Sequence, residues 1–120
     1  LIEMDWGDWE GRRLAELRAE LGSAMVENEA RGLDFLPPGG ESPRMVQRRL
    51  APWLAEVVGR GRPTVAVAHR GVLRALYAEA AGWDMTGRPP RGLSSPAAHL
   101  FEIAADGRPR LRSLDLQAFR

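Results

Sequence analysis

The stretch Thr64–Leu76, TVAVAHRGVLRAL, limits the fold more than any other part of the chain. Small and β-branched residues run uncharged from Thr64 to Ala68, with Pro63 before them and Gly71 soon after. A continuous apolar run of that length reads as a strand buried on both faces. Gly71–Ala81 then carries Val72, Leu73, Leu76 and Ala80 at helical spacing. A strand that passes directly into a helix places their junction where α/β proteins bind ligands, beyond the carboxyl end of the strand. The helix offers unpaired N–H groups and a partial positive charge there, a seat for an anion. His69 at that junction can donate a hydrogen bond or exchange a proton near neutrality. The N–H groups of Arg70 and Gly71 add donors, and Gly71 lets a ligand come close. A histidine that merely caps the helix or satisfies a buried carbonyl fits the same spacing, which leaves both readings open.

The rest of the chain supplies helices around that strand. Leu14, Leu17 and Leu21 recur at helical spacing, and Gly22 is a stop. Arg31–Gly40 reads as a loop ending in LPPGG. Ser42 then fits an N-cap and Pro43 the first helical position. Val46, Leu50, Leu54 and Val57/Val58 form an apolar stripe up to Gly59, with Pro52 inside it as an expected kink. Ala97–Ala104 and Leu111–Leu116 read as strands around Asp106-Gly107, a hairpin signal. This order points to an α/β fold with an antiparallel pair towards the end.

Composition narrows the chemistry. The 120 residues suit one domain or a large part of one. Without cysteine there is no disulfide, thiolate nucleophile or cysteine metal site. All 17 basic residues are arginine, so lysine Schiff-base chemistry is excluded too. Residues 1–60 carry 8 arginines against 11 acids, and residues 61–120 carry 9 against 5. The second half therefore leans towards anions, but it lacks the dense basic run that nucleic acids select. No apolar stretch approaches the roughly 20 residues of a membrane span, and no signal peptide is visible. A cytoplasmic protein with no nucleic-acid or membrane partner is expected, and oligomerisation is left open. Two distant histidines and no clustered carboxylates form no ligand set, so neither metal nor cofactor is expected. The chain opens at Leu1 without methionine, as a processed or truncated chain would.

Two further stretches hold candidate chemistry. In LIEMDWGDWEG, Glu3, Asp5, Asp8 and Glu10 lie among Trp6 and Trp9. A carboxyl group beside aromatic surface suits a general acid. The competing reading is an acidic surface loop whose tryptophans anchor it to the core. In PPGGES, Glu41 stands just before a helix, where a carboxylate favours the helix dipole.

Taken in order, these stretches resemble the histidine phosphatase superfamily, the phosphoglycerate-mutase-like proteins. The matching residues are Leu1-x-Glu3 with Gly7-x-Trp9-Glu10-Gly11, Pro38-Gly39-Gly40-Glu41-Ser42 with Arg49, and Val67-Ala68-His69-Arg70-Gly71-Val72-x-Arg74-Ala75-Leu76. The resemblance implies a mainly parallel sheet flanked by helices, with residues 1–120 as the C-terminal portion of one such domain, incomplete at its N-terminal side. It also implies phosphoryl transfer through a phosphohistidine. Glu3 matches the acid that protonates the leaving oxygen, and His69 the second histidine that holds phosphoryl charge. Arg70 and Gly71 are the expected phosphate contacts.

The family's nucleophilic histidine lies in an Arg-His-Gly motif, which occurs nowhere in these residues. The other histidine, His99, falls in an expected strand and matches no nucleophile position. The expectation is thus a parent phosphomonoester hydrolase acting on a small phosphorylated substrate or binding phosphate, with this chain inactive alone. The DWGDWEG and PPGGES forms lean towards small phosphatases; mutase-type transfer and a non-catalytic phosphate-binding domain are the alternatives. Two structural consequences are expected as well: Glu3 in a fraying terminus, and an exposed sheet edge beside Thr64–Ala68.

Overall fold

A computed structural model describes residues 1–93 and 97–116. Four α-helices and one β-hairpin follow in chain order: α1 (Leu14–Leu21), α2 (Ser23–Glu29), α3 (Pro43–Arg60), α4 (Arg70–Ala81), β1 (Ala98–Ile103) and β2 (Pro109–Leu116). Single 3₁₀ turns lie at Gly7–Trp9 and Gly32–Asp34. Among these residues no helix is long and apolar enough to cross a membrane.

The ends of α3 follow from its sequence. The Ser42 hydroxyl accepts the Met45 N–H at 3.2 Å, Pro43 opens the helix and Gly61 closes it. The helix runs through Pro52 without a break. Val46, Leu50 and Leu54 on its inner face are all nearly inaccessible to water.

The central element is α4. One of its faces sets Val72 and Ala75 against Met4, Val46 and Leu50, with Trp6 and Phe35 packed around them. The opposite face sets Tyr77 and Ala78 against Trp83 and Leu114 of the hairpin side. The Gln47 amide adds a 3.0 Å bond to the Ala75 carbonyl, tying α3 to α4 across the first cluster. In the second, the Tyr77 hydroxyl accepts the Arg91 N–H at 2.8 Å, which lets a polar atom be buried with its aromatic ring. The hairpin turns where Asp106-Gly107 said it would, through an Ala104 carbonyl accepting the Gly107 N–H at 2.8 Å.

The mainly parallel sheet is not there. The only sheet among the described residues is the antiparallel β1–β2 pair. Thr64–Ala68, expected as a strand buried on both faces, has no regular structure, and Val65 and Val67 are 96% and 90% exposed. The physical reason is the lack of a lateral partner. A central strand needs neighbours for its N–H and C=O groups and layers on both faces. Here β1 and β2 pair with each other, while α3 and α4 cover one side only. The expected bare edge thus takes the form of an unpaired segment. Beside it lies an open groove of about 630 Å³, walled by Leu54, Val57, Leu73, Leu76 and, on β1, Phe101 and Ile103.

Outside the core, ion pairs link neighbouring segments. Arg44 on α3 grips Asp34 at 2.8 Å and holds its carboxyl below the usual carboxylate range. Arg18 does the same to Glu29 between α1 and α2. A carboxylate whose folded pKa is depressed contributes stability above its unfolded value, near pH 4, and loses it as pH falls through the folded value. Urea denaturation should therefore find Asp34→Asn less stable than the parent at pH 6, with the difference closing below about pH 3. A difference that persists at low pH would mean that the pair's charge is irrelevant.

Exposure predicts a second contrast. Val67→Asn should move stability by no more than about 0.5 kcal/mol, as surface exchanges do. Leu54→Ala, at a site only 2% exposed, should cost about 2–5 kcal/mol. A large loss at Val67 in thermal melts would place that residue in a buried sheet after all.

Candidate active site

The junction between Ala68 and α4 is built by three segments far apart in sequence. His69 takes the N-cap position with extended backbone, and its carbonyl accepts the Leu73 N–H at 2.9 Å. Its imidazole makes no capping hydrogen bond and is exposed, as is Arg70. Of the two readings open for His69, side-chain capping is thereby removed.

The cap comes from Glu3. Its Oε2 accepts the Gly71 N–H at 3.0 Å, and its Oε1 accepts the Val72 N–H at 3.1 Å and the Met4 N–H at 2.7 Å. The carboxylate thus occupies the first free N–H groups of α4, where a helix favours negative charge. The N–H groups expected to receive an external anion are engaged by a carboxylate of the protein itself. Gly71 makes this approach possible. A Cβ at that position would lie 2.5 Å from Glu3 Oε1 and 3.2 Å from the Met4 side chain.

The terminus does not fray as expected. Met4 is buried, only 5% exposed, in the cluster shared by α3 and α4. Residues 5–8 lie along the Pro38–Glu41 turn, with Glu41 N–H donating to the Asp5 carbonyl at 2.8 Å and Asp8 N–H to Pro38 at 2.9 Å. Gly40 is needed for that contact, since a Cβ there would meet the Asp5 carbonyl at 2.5 Å. Trp6 and Trp9 both rest on Phe35, with ring centroids 5.8 and 5.9 Å away. The tryptophans are anchors, as the competing reading had it, and they bring Glu3 to α4.

Positive charge collects on the same helix. Arg74, one turn beyond Arg70, stands 5.7 Å from the Trp83 ring centroid. Burial, and then the charge of Arg70, pull its pKa below the ordinary arginine value. The sequence names Arg74 only as part of the matching motif and gives it no role, and nothing in its spacing marks it as half-buried.

His99 stands apart on β1. Its side chain is 2% exposed, and its Nδ1 accepts the Asp115 N–H at 3.0 Å. Its Nε2 is buried in the groove wall without a hydrogen-bond partner among the described residues.

The close contact at Gly71 yields a test. Gly71→Ala should displace the Glu3 carboxylate and cost about 1–3 kcal/mol, the price of leaving buried polar groups unpaired. Gly59→Ala, inside α3 with nothing near its Cβ, should be neutral or stabilising. Equal effects in chemical denaturation would mean that Glu3 does not depend on the missing Cβ.

Comparison with known proteins identifies the family. The family profile of the histidine phosphatase superfamily (branch 1) matches residues 1–116. The chain is 34% identical over 110 residues to a 2,3-bisphosphoglycerate-dependent phosphoglycerate mutase of Azorhizobium caulinodans, covering 88% of this chain and 53% of that protein. The like-named protein of Xanthobacter autotrophicus gives the same figures. That of Methylobacterium radiotolerans is 33% identical over 88% of this chain and 52% of its own length. The chain therefore spans about half the length of the curated relatives it matches. No solved structure matches it significantly. A profile match over nearly the whole chain, on top of a Glu3 carboxylate brought beside His69, places this chain in the histidine phosphatase superfamily.

Proposed function

We propose that the protein to which these residues belong hydrolyses small phosphomonoesters through a phosphohistidine, and that this chain supplies its acid and half of its phosphate pocket. The observation that carries the reading is the meeting of Glu3 with the N-terminus of α4 beside His69, 66 positions later in the sequence. Phosphoryl transfer asks a protein chiefly to position groups and to stabilise charge on the equatorial oxygens. His69 and the Arg70 and Gly71 N–H groups serve that charge, with Arg70 and Arg74 adding to the field. The nucleophilic imidazole comes from polypeptide outside these 120 residues.

In the first step a nitrogen–phosphorus bond forms on that imidazole as the bond to the leaving oxygen breaks, and Glu3 gives the leaving oxygen its proton. In the second, water attacks phosphorus, the nitrogen–phosphorus bond breaks, and Glu3 takes the water's proton back. Glu3 serves both transfers from the N-terminus of α4, held there by its neighbour Met4, which packs between α3 and α4.

The test uses the whole protein. Glu3→Gln should lower phosphate release from esters with poor leaving groups about 10²–10⁴-fold, the usual contribution of general acid catalysis. Activated aryl phosphates should be affected much less, because their leaving oxygens need no proton. Equal losses for both substrates would remove Glu3 from the role of proton donor. A second reading, mutase-type transfer, is favoured by the names of the curated relatives. Interconversion of phosphoglycerates faster than phosphate release, in the presence of 2,3-bisphosphoglycerate, would select it over hydrolysis.

A further inference from the structure

The motif that carries Glu41 and Arg49 suggests a phosphate contact by charge alone, since a free arginine near an anion seat is ordinarily a ligand. The hydrogen bonds say otherwise. Arg49 reaches from α3 to the N-terminal segment, where its Nη2 donates to the Ile2 carbonyl at 2.8 Å and the Glu3 carbonyl at 3.2 Å. The same nitrogen donates to Glu41 Oε1 at 2.9 Å, and Nε donates to Glu41 Oε2 at 3.0 Å. Glu41 in turn accepts the Asp5 N–H on Oε1 at 3.0 Å. Both side chains are largely withdrawn from water, 30% and 18% exposed.

From these contacts we infer that Arg49 and Glu41 form a clamp that positions Glu3 over the N-terminus of α4. The pair grips the backbone on both sides of the acid, at residues 2, 3 and 5, while the Glu3 side chain is left to α4. The planar guanidinium is suited to this, because its Nε–Nη2 edge meets the carboxylate while Nη2 also meets the two carbonyls. Those two nitrogens are directed at protein groups rather than outward to a phosphoryl group. Arg49 is thus a positioning residue. The inference rests on Glu3 being the acid of the reaction, but its geometry does not require turnover.

Nuclear magnetic resonance on this chain separates the two claims. In the parent chain the Gly71 and Val72 amide shifts should titrate together with the Glu3 side-chain carboxyl carbon, because all three share the same hydrogen bonds. Arg49→Ala should abolish most of that shared titration while the amides around Asp106 keep their positions. Glu41→Gln should weaken it, since a neutral amide holds the guanidinium less firmly. Arg49→Lys should restore it in part, because lysine keeps one nitrogen for the carbonyls but lacks the second, Nε, that bonds Glu41 Oε2. A role in stability alone would lower the melting temperature and leave the shared titration intact, and that result in any folded Arg49 variant overturns the inference. If Arg49→Ala does not fold, Glu41→Gln and Arg49→Lys decide it by the same readout. In the whole protein, an intact clamp without phosphatase activity would refute the proposed reaction and leave the clamp standing.

Discussion

The seating of one carboxylate on the first turn of α4 organises this molecule. A helix begins with N–H groups that have no partner in the helix, and those at Gly71 and Val72 are satisfied by Glu3. A hydrogen bond to a charged group is worth about 1.5–3 kcal/mol net, more than a neutral one, so this contact is a strong reason for the N-terminal segment to stay in place. Met4 can then fill the space between α3 and α4, and Trp6 and Trp9 can reach Phe35. Local chain, core and site thus depend on a single juxtaposition. Gly71 is its condition, because a methyl group there would stand where the carboxylate is.

On the other side of α4 the balance is different. Thr64, Ala66 and Ala68 line the groove, while Val65 and Val67 between them are almost completely exposed, although β-branched residues gain most where sheets cover them. Among the described residues, His99 Nε2 is buried in the wall of the same groove without a partner. An unpaired backbone segment and two bare valines are each unfavourable in isolation.

Elements whose signals are local were legible in the sequence. The Ser42-Pro43 cap, the α3 stripe, the start of α4 and the Asp106-Gly107 turn all come from residues within a few positions of one another. Gly22, read as the end of a helix, also begins the next one, and α2 had no apolar periodicity to announce it. Thr64–Ala68 was misread for the opposite reason. Its composition records an environment of neighbouring strands, but composition cannot supply those neighbours. The start of α4 was legible from His69 and Gly71. The carboxylate that caps it was not, because Glu3 and Gly71 are 68 positions apart and no spacing rule links them.

That occupancy bears on how the site would work. In the proposed reaction, a phosphoryl group approaching α4 would meet N–H groups engaged by Glu3, so the two anions would compete for the same donors. A carboxyl group that carries a proton accepts such bonds more weakly than a carboxylate. The protonated acid would therefore release the N–H groups to the phosphoryl oxygens more readily, and the acid form and the loaded pocket would favour each other. Once the proton had gone to the leaving oxygen, the carboxylate would regain its hold on Gly71 and Val72 and press against the charge of the phosphoryl group. The clamp at Arg49 and Glu41 keeps the backbone fixed through this exchange, confining the movement to one side chain. Positioning the acid and regulating access to the phosphate seat are then two consequences of the same hydrogen bonds.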